Sequence, residues 1–208
     1  YKRQADNCGF TLAAAPLDFT CADLGANNVT LTATDDSGNT ADCVAVVTVE
    51  DNIAPTALCQ DITVDLDATG NATIIADDVD GGSTDNCPLT LTATPLAFTC
   101  ADVGANNVTL TATDDAGNAA DCVAVVTVED NVAPTAVCQD ITVQLDGTGN
   151  IAITPADVDN GSADACGLEP LAAAPLAFTC AETGANVVTL SVEDVNGNTA
   201  ECTSNVTV

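Results

Sequence analysis

Apolar and polar residues alternate along most of this chain with a period of two. In residues 28–34, Val29, Leu31 and Ala33 fall on one side of an extended backbone and Thr30, Thr32 and Thr34 on the other, the pattern of a strand with one face toward a core. Asp35-Asp-Ser-Gly-Asn39 supplies a turn and Cys43 to Val49 the returning strand. The same hairpin recurs over residues 107–128 and 187–208. Upstream of it, Ile62, Val64 and Leu66 alternate with Thr63, Asp65 and Asp67, and Gly70-Asn71 turns the chain into residues 72–76. Leu89, Leu91 and Ala93 mark a further strand, Pro95 breaks it, and Phe98 re-enters the core before Gly104 turns the chain into Val108. Helical periodicity is missing, and the Ala-rich residues 171–174 are interrupted by Pro170 and Pro175. Six or seven short strands per unit predict an all-β sandwich, with Phe19, Phe98 and Phe178 at one repeat position as core anchors.

The strands come in tandem copies. Cys8 and Cys87, Cys43 and Cys122, and Cys59 and Cys138 are each 79 residues apart, and the third copy carries one extra residue between Cys166 and Cys180. The joints read VEDNIAPT at residues 49–56 and VEDNVAPT at residues 128–135. Residues 1–50 are therefore expected to form an incomplete repeat lacking its opening strands, and 51–129 and 130–208 complete ones. Such an array suits a portion of a longer polyrepeat chain; completion of one subunit by a strand from another is the competing reading.

Charge narrows the function. Thirty-one acidic residues stand against Lys2 and Arg3, a formal charge of −29, which repels nucleic acid and anionic membranes. With 47% apolar residues in ordered alternation, the chain departs from the composition of disordered acidic proteins. An apolar stretch of membrane-spanning length is lacking. Eleven cysteines without a histidine or a CxxC pair point to structural disulfides in an oxidising, extracellular setting. Units this small often require such cross-links.

In a sandwich whose first and last strands run side by side, Cys59 can reach Cys122, and Cys138 can reach Cys202. Cys87 and Cys100 lie on either side of the bend at residues 93–95, where they could close a hairpin, as could Cys166 with Cys180 and Cys8 with Cys21. This scheme does not include Cys43. Pairing of 59 with 87 and of 100 with 122 stays open.

The acidic residues concentrate where several turns of one copy are expected to meet the incoming joint. For the second copy these are Glu50, Asp51 and Asn52 of the joint with Asp78, Asp80, Asp85, Asp114 and Asn118. For the third they are Glu129, Asp130 and Asn131 with Asp157, Asp159, Asp164, Asp194 and Asn198, whereas Asp77, Asn86 and Asp115 become Ala156, Ala165 and Val195. Carboxylates converging without a Lys or Arg call for a hard cation, and oxygen-only ligands select Ca²⁺ over zinc or copper. Residues 65–70 open like an EF-hand loop but lack its closing Glu, so a plain hairpin turn is expected there.

CQDITV, TDNC, the Phe98 to Gly104 spacing, VTLTATDDAGN, ADC and the VEDNxAP joint together resemble the hyalin-repeat (HYR) family and related immunoglobulin-like repeats of bacterial secreted proteins. The resemblance covers nearly the whole chain and implies extracellular, non-enzymatic adhesive or spacer modules. Gln60 and Gln139 replace the family's usual Pro after the first Cys, and a Cys common in its VTL strand is absent. An enzyme is not expected, since there is no His, no GxSxG and no phosphate-cradling Gly loop. The expected object is a set of tandem, disulfide-linked immunoglobulin-like β-sandwich repeats of about 79 residues. Its expected role is an extracellular or cell-surface stalk or filament, rigidified by Ca²⁺ at the joints. It is extended by head-to-tail self-association or by a longer polyrepeat chain, with an adhesive binding module as the alternative.

Overall fold

Strand pairing follows the alternation of the sequence closely. The computed structural model describes residues 9–208. Strands β1 (Phe10–Ala15), β2 (Gly25–Asp35) and β3 (Thr40–Val49) form an antiparallel sheet in that order, with Leu31 opposite Cys43 and Thr34 opposite Thr40 across the β2–β3 hairpin. The middle copy contributes β4 (Ile62–Asp65), β5 (Asn71–Thr73), β6 (Leu89–Thr94), β7 (Ala97–Thr99), β8 (Gly104–Asp114) and β9 (Ala119–Glu129). They divide into a four-stranded sheet, β4-β9-β8-β6, and a two-stranded one, β5-β7. The third copy repeats this division with β10 (Ile141–Thr142), β11 (Asn150–Ala152), β12 (Ala172–Ala174), β13 (Ala177–Thr179), β14 (Ala185–Glu193) and β15 (Thr199–Thr207), ordered β10-β15-β14-β12 and β11-β13. The fold is all-β, of immunoglobulin-like sandwich type; among the described residues the one α-helical segment is the single turn Pro155–Val158.

The first strand of each full copy lies parallel to the last, Ile62 opposite Val126 and Ile141 opposite Val206. That pairing places Cys59 beside Cys122 and Cys138 beside Cys202, and both bonds form as expected. In the third copy the core is Ile153, Val158, Phe178, Val188, Leu190, Val192 and Val206. These residues come from both sheets, so the side chains of β13 and β14 meet face to face.

By contact, the chain resolves into two units. One runs through residue 59 and adds Asp80–Ala93 and Thr109–Cys122; the other comprises Gln60–Val79, Thr94–Val108 and Val123–Val208.

Phe98 and Phe178 anchor cores at 2% and 1% exposure, whereas Phe19 is only half-buried. Leu31 and Ala33 of β2 are half-buried and Val47 of β3 is exposed, where their counterparts Leu110, Ala112 and Val126 are buried. Among the described residues of the first copy no second sheet covers β1 to β3, which accounts for both differences.

The hairpin expected between Cys87 and Cys100 does not form, because the strands on either side of Pro95 belong to different sheets. β6 joins the four-stranded sheet and β7 the two-stranded one, and β12 and β13 part in the same way. The expected bonds Cys87–Cys100, Cys166–Cys180 and Cys8–Cys21 are therefore replaced by Cys21–Cys87 and Cys100–Cys166. Cys8 lies outside the described residues, and Cys180 is an exposed thiol.

Candidate metal centre

The joint following Asp130 is held by the last hairpin turn of its copy. Asp194 is fully buried, and its Oδ1 accepts the amides of Asn196 and Asn198 at 2.8 and 2.9 Å while Oδ2 accepts the Asn198 side chain at 2.8 Å. Burial pushes this carboxyl up, but these hydrogen bonds outweigh it and hold the group below its ordinary 3.8. The second amide hydrogen of Asn198 goes to the Asp130 carbonyl oxygen at 3.0 Å. With its backbone held, Asp130 turns its side chain inward at 8% exposure. Oδ1 accepts the Val132 amide at 3.1 Å, and the buried Oδ2 has no hydrogen-bond partner. Asp164, whose Oδ1 accepts the Cys166 amide at 2.7 Å, brings a carboxylate oxygen within 4.8 Å of Asp130 and of the Cys166 sulfur.

The preceding joint is built alike. Asp114 is buried and clamped by Asn118, whose side chain lies 2.8 Å from Asp114 Oδ2 and 3.1 Å from the Asp51 carbonyl oxygen. Here too burial raises the Asp114 carboxyl and the Asn118, Gly117 and Ala116 hydrogen bonds prevail, lowering it. Asp51 accepts the Ile53 amide on Oδ1 and the Asn86 side chain on Oδ2, both at 3.0 Å. Asp85 accepts the Cys87 amide at 3.0 Å on Oδ2, while its buried Oδ1 has no partner. Asp51, Asp85 and the Cys87 sulfur again lie within 4.8 Å of one another. A cleft of about 460 Å³, floored by Phe19, Leu24 and Val49, opens beside Glu50, Asp51 and Asn52.

The structure thus draws two carboxylates together at each joint, Asp51 with Asp85 and Asp130 with Asp164. Other residues read as candidate ligands accept or donate hydrogen bonds nearby. Asp80 accepts the Ser83 amide and hydroxyl at 2.9 and 2.6 Å, and Asp159 the Ser162 amide at 3.0 Å. Asp78 accepts the Ile75 amide at 2.7 Å and Asp157 the Thr154 amide and hydroxyl at 2.7 and 2.8 Å. Asn131 donates to Glu129 at 3.2 Å and to Asp65 at 2.8 Å. In the EF-like segment, Asp67 accepts from Thr69 and Asn71, a hairpin turn as expected.

The donor set fits a hard cation. Each pair presents a buried oxygen without a hydrogen-bond partner beside a second carboxylate, and residues 9–208 contain no Lys, Arg or His to balance them. Two like charges at this separation repel unless a cation lies between them. Cys87 and Cys166 are disulfide-bonded and offer no thiolate, which leaves oxygen ligands and Ca²⁺ chemistry.

No protein-family model matches the chain, and no curated protein matches it. Among solved structures, extracellular cadherin domains 1–4 of protocadherin gamma B7 align at a TM-score of 0.39 and 12% identity, over 96% of this chain and 66% of that one. Drosophila N-cadherin EC1–4 aligns at 0.37 and 10%, over 95% and 66%. Titin domains I67–I69, in an E-to-A variant, align at 0.34 and 11%, over 99% and 84%. The chain therefore spans just under two thirds of the two cadherin chains. So distant a likeness carries no functional information, and the fold assignment stands on strand order and register.

Proposed function

We propose that this chain is part of an extracellular, non-enzymatic stalk or filament of tandem hyalin-like repeats, each joint fixed by a disulfide and by a Ca²⁺ ion. Asp130 with Asp164, and Asp51 with Asp85, would hold the ion, which supplies the positive charge the described chain lacks. The observation that carries this reading is the buried Asp130 Oδ2, without a partner beside Asp164. Four disulfides support an oxidising compartment. The near-identity of the copies favours a spacer over an adhesive tip, which would require one unit to differ.

Calorimetric titration of the full chain with Ca²⁺ tests the metal, alongside D130N and D164N. Saturable uptake, with the stoichiometry falling by one in either variant, is expected. Uptake no greater than that of non-specific surface binding overturns the reading. Electron micrographs of the secreted material separate stalk from adhesin, since an adhesin carries a distinct tip.

A further inference from the structure

Two bonds follow one rule. Cys21–Cys87 and Cys100–Cys166 each span 66 residues and each run from the cysteine of an FTC sequence, which heads a one-turn 3-10 helix, to the Asp-x-Cys turn of the next copy. Cys180 occupies the same place in the third copy, heading the 3-10 turn Cys180–Glu182. Its surroundings are already those of the bonded cysteines. Thr179 donates its amide and hydroxyl to Glu182 at 2.7 Å, as Thr99 does to Asp102 at 2.8 and 2.9 Å. The Cys180 sulfur lies 3.7 Å from the Gly149 carbonyl oxygen, and the Cys100 sulfur 3.8 Å from that of Gly70. Both glycines have positive φ, +77° and +74°, and a Cβ on either would come within 2.8 or 2.5 Å of that sulfur. The difference lies above the sulfur. A Cβ on Gly70 would also meet Ala165 and Cys166 at 3.3 and 3.7 Å, whereas one on Gly149 would meet Cys180 alone. Accordingly Cys180 is exposed where Cys21 and Cys100 are half-buried.

We propose that Cys180 is a preformed half-site for covalent chain extension, which takes the cysteine of an Asp-x-Cys turn from a following unit. The two thiols lose two electrons to a disulfide oxidant such as oxidised glutathione, which leaves as two thiols carrying the two protons. The acceptor cysteine comes from a second copy of this chain, whose Cys8 stands in an Asp-Asn-Cys sequence, or from a further repeat on the same polypeptide. The inference rests on the tandem-array part of the proposed function and not on its metal.

Two arms distinguish these sources. In the first, the full chain is concentrated with oxidised glutathione, separated without reductant, and its cross-linked peptides are mapped. Covalent oligomers joined Cys180 to Cys8, and lost in C180S, assign the partner to a second copy. In the second, the chain is lengthened by a further copy of its own residues 129–208, which places a Cys166 counterpart 66 residues beyond Cys180, the separation of both existing bonds. Closure only in this arm, read as Cys180 resisting alkylation, assigns the partner to the same polypeptide. Cys180 fully alkylated in both arms, or bonded to a cysteine outside an Asp-x-Cys turn, overturns the proposal. Calcium titration is independent of either result.

Discussion

The side-chain nitrogen of Asn198 lies 3.0 Å from the main-chain carbonyl oxygen of Asp130, so the last hairpin of the copy grips the joint that begins it. Asn118 holds Asp51 in the same way at 3.1 Å. Asp194 and Asp114 orient the two asparagines, and the outcome is an Asp130 carboxylate aimed inward with one oxygen open. The clamp serves fold and site together.

Replacing Asn198 with Ala takes a hydrogen bond from the fully buried Asp194 carboxylate and releases the Asp130 carbonyl. Such a deletion costs about 2 kcal/mol. Asn150→Ala, at an exposed turn, is expected to stay within about 0.5 kcal/mol of the native chain. Chemical denaturation of both variants checks the pair.

Acid should unfold the protein through its turns. Asp67, Asp80, Asp146, Asp157 and Asp159 are all held below the ordinary 3.8. The largest cause is a side-chain hydrogen bond from Thr69, Ser83, Thr148 and Ser162 for four of them, and the Thr154 amide for Asp157. A carboxyl lowered by folding confers stability that is complete above its unfolded value and is lost as pH falls through its folded one. Stability is therefore expected to decline only below about pH 4. Circular dichroism melts from pH 7 to pH 2 check this, and a loss beginning above pH 5 would contradict it.

Register is testable on β14. Leu190 is wholly buried and Val187, three residues earlier, is 61% exposed. Leu190→Ala should cost about 3 kcal/mol or more, and Val187→Ala less than about 0.5 kcal/mol. Equal costs in urea unfolding would mean that the face assignment is wrong.

Much of this was legible from the alternation of side chains. Val29, Leu31 and Ala33 set the period-two face, Phe98 and Phe178 the anchors, and the parallel first and last strands the Cys59–Cys122 bond. The Cys21–Cys87 bond was not legible, because in a strict repeat a link to the next copy involves the same cysteine types as a link within one. Only the switch of sheets between β6 and β7 decides between them, and Pro95 signals a break without saying where the chain goes next. The acidic turns were visible as composition. Which carboxylates brace loops and which keep an open oxygen depends on whether a Ser, Thr or Asn stands within reach, as Ser162 does for Asp159 and nothing does for Asp130 Oδ2.

Removing one native disulfide should be costly. Cys138–Cys202 spans 64 residues, and closing a loop of that length in the unfolded chain corresponds to about 4 kcal/mol on the chain-entropy model. The double variant Cys138→Ser with Cys202→Ser should fold with a correspondingly lower denaturation midpoint and an unchanged β-sheet spectrum. Loss of the spectrum would show that the cross-link is required to form the sandwich at all.

On the calcium reading, Asp130→Asn should change sign with the metal. In chelator, native Asp130 faces Asp164 with a buried, unpartnered oxygen, a cost that a neutral amide reduces, so the variant should melt no lower than the native chain. In saturating Ca²⁺ the native chain gains about 2.7 kcal/mol per site at a hundredfold excess over the dissociation constant, and the variant loses that gain at one joint. Sodium chloride should not reproduce the crossing, because screening acts weakly on a buried pair, and Mg²⁺ should do so poorly because it gives up its water reluctantly. Calorimetric melts of both proteins in EDTA, CaCl₂, MgCl₂ and NaCl decide the matter: if the two curves keep the same order in every buffer, the carboxylate pair is not a calcium site.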